Sequence, residues 1–263
     1  MRLQLTPIVK TLLFINIGFF LAQNFGLEAF LINNFALYSF LSPNFQVYQL
    51  VSHMFLHGSI GHLFGNMLGL VFFAPILENL WGAKRFLFFY FVCGIGAGLM
   101  HSGINYIETK KITESSQIYM DHPTPTGLVI FLKKYSPYDY DEKIEFINQY
   151  RENPTGSSYI SESKTIIENA YFSRLNIPTI GASGAIFGIL MAFALLFPNT
   201  EILVYFLFPI KAKYLVALYG AYELYQGFQQ SPGDSVAHVA HLGGMLFAFI
   251  LIKYWGIKRN KFY

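Results

Sequence analysis

Six stretches of the chain are apolar for about as long as a helix needs to cross a bilayer. They run from Ile8 to Gly26, Gly61 to Leu80, Phe86 to Ser102, Gly181 to Phe197, Tyr214 to Phe228 and Val236 to Trp255. A hydrocarbon core about 30 Å thick takes roughly 20 residues of α-helix. Backbone groups in lipid must bond within their own segment or in a closed barrel, and continuous rather than alternating apolar runs select helices. The expected fold class is therefore all-α, a polytopic membrane bundle of six transmembrane helices. Only 13% of residues are charged, against about 25% in ordinary soluble domains. The fifth run is short and contains Glu223, and Ile202 to Ile210 is too short to span and ends in Pro209 and Ile210, so it reads as interfacial.

Six spans place both ends of the chain on one side. Outside residues 103–176 the basic residues are Arg2, Lys10, Lys84, Arg85, Lys211, Lys213, Lys253, Lys258, Arg259 and Lys261. All fall on that same side, which the positive-inside rule makes cytoplasmic. The segment from Leu27 to Ile60 faces the other way, holds no Lys or Arg, and is rich in Phe, Leu and Tyr, as an interfacial loop would be. The first run lacks a small-residue cleavage site and reads as a retained span. The expected organisation is spans one to three over residues 1–102 with an interfacial outer loop at 27–60, a polar extracytoplasmic insert at 103–178, and spans four to six over 179–263. The insert carries 8 basic and 10 acidic residues; long segments translocate largely regardless of charge. Its sequence fits a small folded unit or a loop, with an amphipathic helix from Glu142 to Tyr150. The expected location is the inner (plasma) membrane.

Polar groups inside spans are costly and mark function. Ser183 stands in Gly181-Ala182-Ser183-Gly184-Ala185-Ile186-Phe187-Gly188, one turn into the fourth span, and Gly184 and Gly188 form a GxxxG pair that permits close helix approach. Ala185 excludes the G-x-S-x-G elbow of soluble hydrolases. His238 and His241 lie three apart near the start of the sixth span, so either can serve as a base or ligand. His62 and Asn66 are i, i+4 at the start of the second, where side-chain donors can line an oxyanion hole. His53 and His57 precede that span; no H-E-x-x-H pattern and no nearby acidic residue accompanies them, so no metal is expected and packing of the outer segment is the better reading. The single cysteine, Cys93, lies in an apolar run and excludes both an internal disulfide and a cysteine-based zinc site.

Spans two, four and six all enter from the outer side. Ser183, His238 and the His62–Asn66 pair thus reach one depth, and this coincidence of nucleophile, base and oxyanion donors points to catalysis at Ser183. The combination of His62-x-x-x-Asn66, Gly181-Ala182-Ser183-Gly184 and Ala237-His238-x-Ala240-His241-Leu242-Gly243-Gly244 resembles the rhomboid proteases. The run Glu78-x-Leu80-Trp81-Gly82-x-x-Arg85-Phe86 is also similar to that family's junction of spans two and three. The resemblance covers nearly the whole chain except the insert, which is longer than usual.

The resemblance implies an intramembrane serine endopeptidase with a Ser–His dyad. Ser183 matches the family's nucleophile and His238 its base. His62 and Asn66 match the oxyanion residues, helped by the Ser183 backbone N–H. Phe187 is expected to pack on the His238 ring, His241 to give support, and Asp234 to cap the sixth span. Tyr48-Gln49 stand where many members carry Trp-Arg, which bears on how the outer loop is anchored. The implied partners are single-span membrane-protein substrates and the lipid bilayer, with no nucleic acid and no cofactor. A transporter using the same polar groups would line a route across the bilayer instead of one depth. An inactive rhomboid-like binding protein would lack Ser or His at the dyad positions.

Overall fold

A computed structural model of the chain describes residues 4–204, 207–229 and 237–257. It resolves into two compact units, one of residues 1–37, 46–103 and 178–263 and one of residues 38–45 and 104–177.

In the first unit, α1 (Pro7–Ala22) opens on a proline, whose fixed φ and missing N–H suit a first helical turn. It ends in a widened turn over Gln23–Leu27 that bends at Gly26, φ 96°, before α2 (Glu28–Phe35). The outer segment continues through the short α3 (Gln49–Ser52) and a tight turn at His53–Phe55. The helix α4 (Ile60–Trp81) starts where the Ser59 hydroxyl accepts the His62 backbone N–H at 3.1 Å. The 39-residue α5 (Ala83–Asp121) begins in this unit. The stretches Pro7–Phe35, Ile60–Trp81 and Ala83–Asp121 are long and apolar enough to cross a membrane by length and composition. Among the described residues two further apolar helices are shorter, one at Ser183–Leu196 and one at His238–Tyr254.

The second unit takes up the end of α5 together with α6 (Pro125–Tyr135), α7 (Pro137–Glu142), α8 (Ile144–Glu152) and α9 (Ser157–Leu175). These helices close over a core of their own that includes Leu128, Leu132, Ile147, Tyr150 and Ile167. The polar stretch whose sequence fits either a folded unit or a loop is therefore helical. Within the same unit Ser42 donates its hydroxyl to Asn176 Oδ1 at 2.6 Å.

Back in the first unit come α10 (Ser183–Leu196), the antiparallel strands β1 (Glu201–Val204) and β2 (Phe208–Lys211), α11 (Ala212–Gln229) and α12 (His238–Tyr254). The apolar run at 202–210, read as interfacial, is thus largely a hairpin. Its residues pair Glu201 with Lys211 and Val204 with Phe208. Asp234, expected to cap the last span, lies outside the described residues, as do Arg2, Lys258, Arg259 and Lys261.

Two features fix the helices that carry the polar residues. First, α10 and α12 meet backbone to backbone. A Cβ on Gly244 would strike the Gly184 carbonyl group, and one on Gly188 would sit 2.7 Å from Cys93 Cβ and 3.2 Å from the Gly244 carbonyl oxygen. Only glycine permits that approach. Second, the buried Glu78 near the end of α4 caps α1. Its carboxylate accepts the Ile8 and Val9 backbone N–H groups at 3.1 Å each and a short hydrogen bond from the Thr6 hydroxyl. A carboxylate at a helix N-terminus satisfies orphan donors and complements the dipole.

Candidate active site

Ser183 is the first residue of α10, and the loop before it is held by backbone pairing. Leu37 and Thr179 exchange N–H···O bonds of 2.9 and 2.8 Å, and the Gly181 N–H donates to the His53 carbonyl at 2.9 Å. The Thr179 hydroxyl meets His101 Nε2 on α5 at 3.1 Å. Gly181 has φ 127°, a backbone conformation that disfavours side chains, and a Cβ there would lie 2.8 Å from the His62 ring and 3.7 Å from Ser183 Oγ. The His62 ring and the Ser183 hydroxyl thus both border Gly181. As the first turn of a helix, α10 also presents backbone N–H groups with no intrahelical partner at this point.

The imidazole that reaches Ser183 is His241: its Nε2 lies 2.9 Å from Ser183 Oγ. Phe187, one turn along α10 from the serine, stacks on that ring with centroids 4.2 Å apart and planes 6° off parallel. Both contacts correct the sequence expectation, which gave the pairing and the stacking to His238. The reason lies in helix geometry. At about 100° per residue, His241 is about 60° around α12 from Gly244, whereas His238 is about 120° away. Because Gly244 must face Gly184, His241 is carried to Ser183.

His238 meets a residue the sequence reading did not place in the site. Its Nδ1 lies 2.6 Å from Oε2 of Glu223, on α11, and His241 Nδ1 lies 2.9 Å from the same oxygen. The His241 N–H is not aimed along the line to that oxygen, so this contact is a close approach and the His238 contact the aligned hydrogen bond. All three side chains are buried. A signal for Glu223 existed: an acid within an apolar span is costly unless it has partners. The three could also ligate a metal ion. Their spacing of 2.6 and 2.9 Å is that of hydrogen bonds; ligands at about 2.0–2.1 Å around a tetrahedral zinc stand about 3.3 Å apart.

Asn66 is buried on α4 and its Nδ2 lies 3.0 Å from His57 Nε2. An amide nitrogen only donates, so His57 accepts there, and the second amide hydrogen of Asn66 stays available. The His57 backbone N–H in turn donates to Gln23 Oε1 at 3.1 Å, and Gln23 Nε2 donates to the His57 carbonyl at 3.2 Å. His53 donates from Nδ1 to the Gln49 carbonyl at 2.7 Å. Burial pushes the His53 imidazole down to about 4 and, with His62 nearby, the His57 imidazole down to about 3. Gln49, standing where the resemblance predicts an arginine, is fully buried; its Nε2 donates to the Asn34 carbonyl at 3.3 Å and its Oε1 accepts the Gln46 N–H at 3.1 Å. The outer segment is thus anchored by neutral hydrogen bonds.

With this geometry in view, a family model described as the Rhomboid domain matches residues 44–109 and 157–257, well over half of the chain. The chain belongs to the rhomboid family. This rhomboid is also similar to an uncharacterized mitochondrial rhomboid protein of Schizosaccharomyces pombe, 26% identical over 220 residues. That match takes in 81% of the chain but 52% of the relative, so the chain spans about half the length of the relative it matches. The two matched stretches of the rhomboid domain are separated at residues 110–156, inside the second compact unit. The matched stretches contain His62, Asn66, Ser183, Glu223, His238 and His241. Rhomboid membership and the apolar helices make this a membrane protein.

Proposed function

We propose that this rhomboid is an intramembrane serine endopeptidase in which Ser183 is the nucleophile and His241 its general base. The observation that carries the reading is the 2.9 Å approach of His241 Nε2 to Ser183 Oγ, which is hydrogen-bond reach for proton transfer. In the acylation step Ser183 Oγ attacks the scissile carbonyl as its proton passes to His241 Nε2. The tetrahedral oxyanion is met by the His62 ring, the free amide hydrogen of Asn66 and the Ser183 N–H, each donor worth about 2.7–4 kcal/mol by analogy with other oxyanion holes. His241 then returns the proton to the leaving amine, and water hydrolyses the acyl-enzyme with His241 again as base.

The substrates are transmembrane segments, single-span proteins foremost. Their helix unwinds near the extracytoplasmic face, because a helical peptide bond is bonded within its own segment and closed to attack. The reading includes six spans, cytoplasmic termini and an extracytoplasmic insert in an inner (plasma) membrane, on the distribution of Lys and Arg.

The test compares purified wild type with Ser183→Ala and His241→Ala on a reporter transmembrane substrate in proteoliposomes. Cleavage by the wild type alone, with a fluorophosphonate attached to Ser183, is the expected result. Cleavage by Ser183→Ala at the wild-type rate, or a Ser183 that never takes the fluorophosphonate, overturns the proposal.

A further inference from the structure

The carboxylate of Glu223 is out of place on α11 unless it does something there. It is 5% exposed, and its helix is otherwise largely apolar and aromatic. One of its oxygens, Oε2, stands against two imidazoles at once, 2.9 Å from His241 Nδ1 and 2.6 Å from His238 Nδ1. The opposite nitrogen of the first ring, His241 Nε2, is the one that meets Ser183 Oγ. The His241 N–H is not aligned on Oε2, but a negative charge 2.9 Å from Nδ1 still favours the hydrogen on that ring nitrogen. It holds the proton on Nδ1 and leaves the Nε2 lone pair facing the serine hydroxyl, as a base requires.

We propose that Glu223 is a positioning residue for the reaction, fixing the tautomer and charge of His241, and that His238 serves it by holding the carboxylate in place. The inference rests on the Ser183–His241 reading above. Glu223 keeps its charge throughout. The serine proton goes to His241 Nε2 and onward to the leaving amine, and the carboxylate balances the imidazolium that exists between those two transfers. Phe187 confines the ring by stacking, but a neutral face cannot choose between tautomers. His238 is the aligned donor to Oε2, so the carboxylate cannot swing away when the His241 contact loosens. The arrangement extends the dyad to a line of four side chains, Ser183–His241–Glu223–His238, contributed by three helices.

A purely structural role for Glu223, satisfying two buried rings, makes a different prediction. The full-length protein in proteoliposomes would be assayed for kcat and KM on the reporter substrate, for the rate of fluorophosphonate attachment to Ser183, and for thermal unfolding. Glu223→Gln keeps size and hydrogen bonding but removes the charge. It should lower kcat by about 10²–10⁴-fold, with KM little changed and probe attachment slowed in step. Glu223→Asp retains the charge with a shorter reach and should recover most of this, losing about tenfold. It also covers the case in which glutamine prevents folding. His238→Ala should lose activity too, and the loss should not add to that of Glu223→Gln in the double variant.

Wild-type kcat in a folded Glu223→Gln or Glu223→Asp overturns the inference while leaving the dyad intact, provided Ser183→Ala is inactive. So does a loss confined to KM or to thermal stability with probe attachment unchanged. Cleavage by Ser183→Ala strikes the underlying reading instead.

Discussion

Replacing Gly244 by alanine separates packing from chemistry in this rhomboid. The added methyl would point at the Gly184 backbone, 2.7 Å from its carbonyl carbon and closer still to the oxygen. Ordinary contact begins at 3.4 Å, so α10 and α12 must part locally by more than about 1 Å. Ser183 adjoins Gly184, and His241 sits one turn from Gly244. The 2.9 Å Oγ–Nε2 approach should therefore open beyond hydrogen-bond range. Overpacking of this kind costs about 1–3 kcal/mol, and alanine returns up to about 1 kcal/mol through its better helix propensity. The net loss of stability is thus about 0–3 kcal/mol, whereas a misplacement of about 1 Å can cost about 10²-fold in rate. Cleavage of the reporter substrate should fall by about that factor while the unfolding midpoint moves by a few degrees. Gly18→Ala, on α1 with nothing near its added methyl, is the matched control and should keep wild-type turnover. If Gly244→Ala cleaves within twofold of wild type, backbone contact does not set the working distance between Ser183 and His241.

Phe187→Ala removes the ring that stacks on His241; with about 0.5–1.5 kcal/mol lost from the stack, kcat should drop about 2–10-fold, more than fluorophosphonate saturation levels change. His53 is neutral when folded, its imidazole lowered from 6.5 to about 4 by burial. The unfolded chain therefore binds more protons between those values. Stability should be full above about pH 6.5 and decline as pH falls toward 4, and His53→Gln should flatten that slope in unfolding curves recorded in detergent. Glu78→Ala strips α1 of its cap, leaving the Ile8 and Val9 N–H groups and the Thr6 hydroxyl without the acceptor they share. A loss of about 1–3 kcal/mol is expected, read as a lowered unfolding midpoint.

The helical character of this chain is legible from apolar run length, because lipid leaves a backbone few ways to satisfy itself. The small-residue neighbourhood of Ser183 and the capacity of Gly184 and Gly188 for close helix approach are legible too, but that the partner is α12 is not. What sequence spacing could not decide is which of two histidines, three residues apart, faces the serine. Both share a side of the helix to within a turn; the rotation of α12 is set by Gly244 against Gly184, a contact between segments. Glu223 escaped for a related reason. Its meaning depends on α11 bringing it to two rings on another helix, while in one dimension it only interrupts an apolar run. At 202–210 the apolar character was visible but not the pairing of Ile202 with Ile210, since so short a run fits hairpin or helix equally. The insert's folding depended on long-range burial of residues such as Leu132 and Ile147, which a polar composition conceals.

The Glu78 clamp has a consequence for how the chain enters a membrane. Because a side chain near the end of α4 grips the first turn of α1, those two points lie at one level, whichever side of the bilayer that is. Sidedness is then a joint property. Reporters fused before Thr6 and in the turn at Gly82 should always register the same compartment, and reversing one by moving positive charge should carry the other with it or leave the pair unassembled.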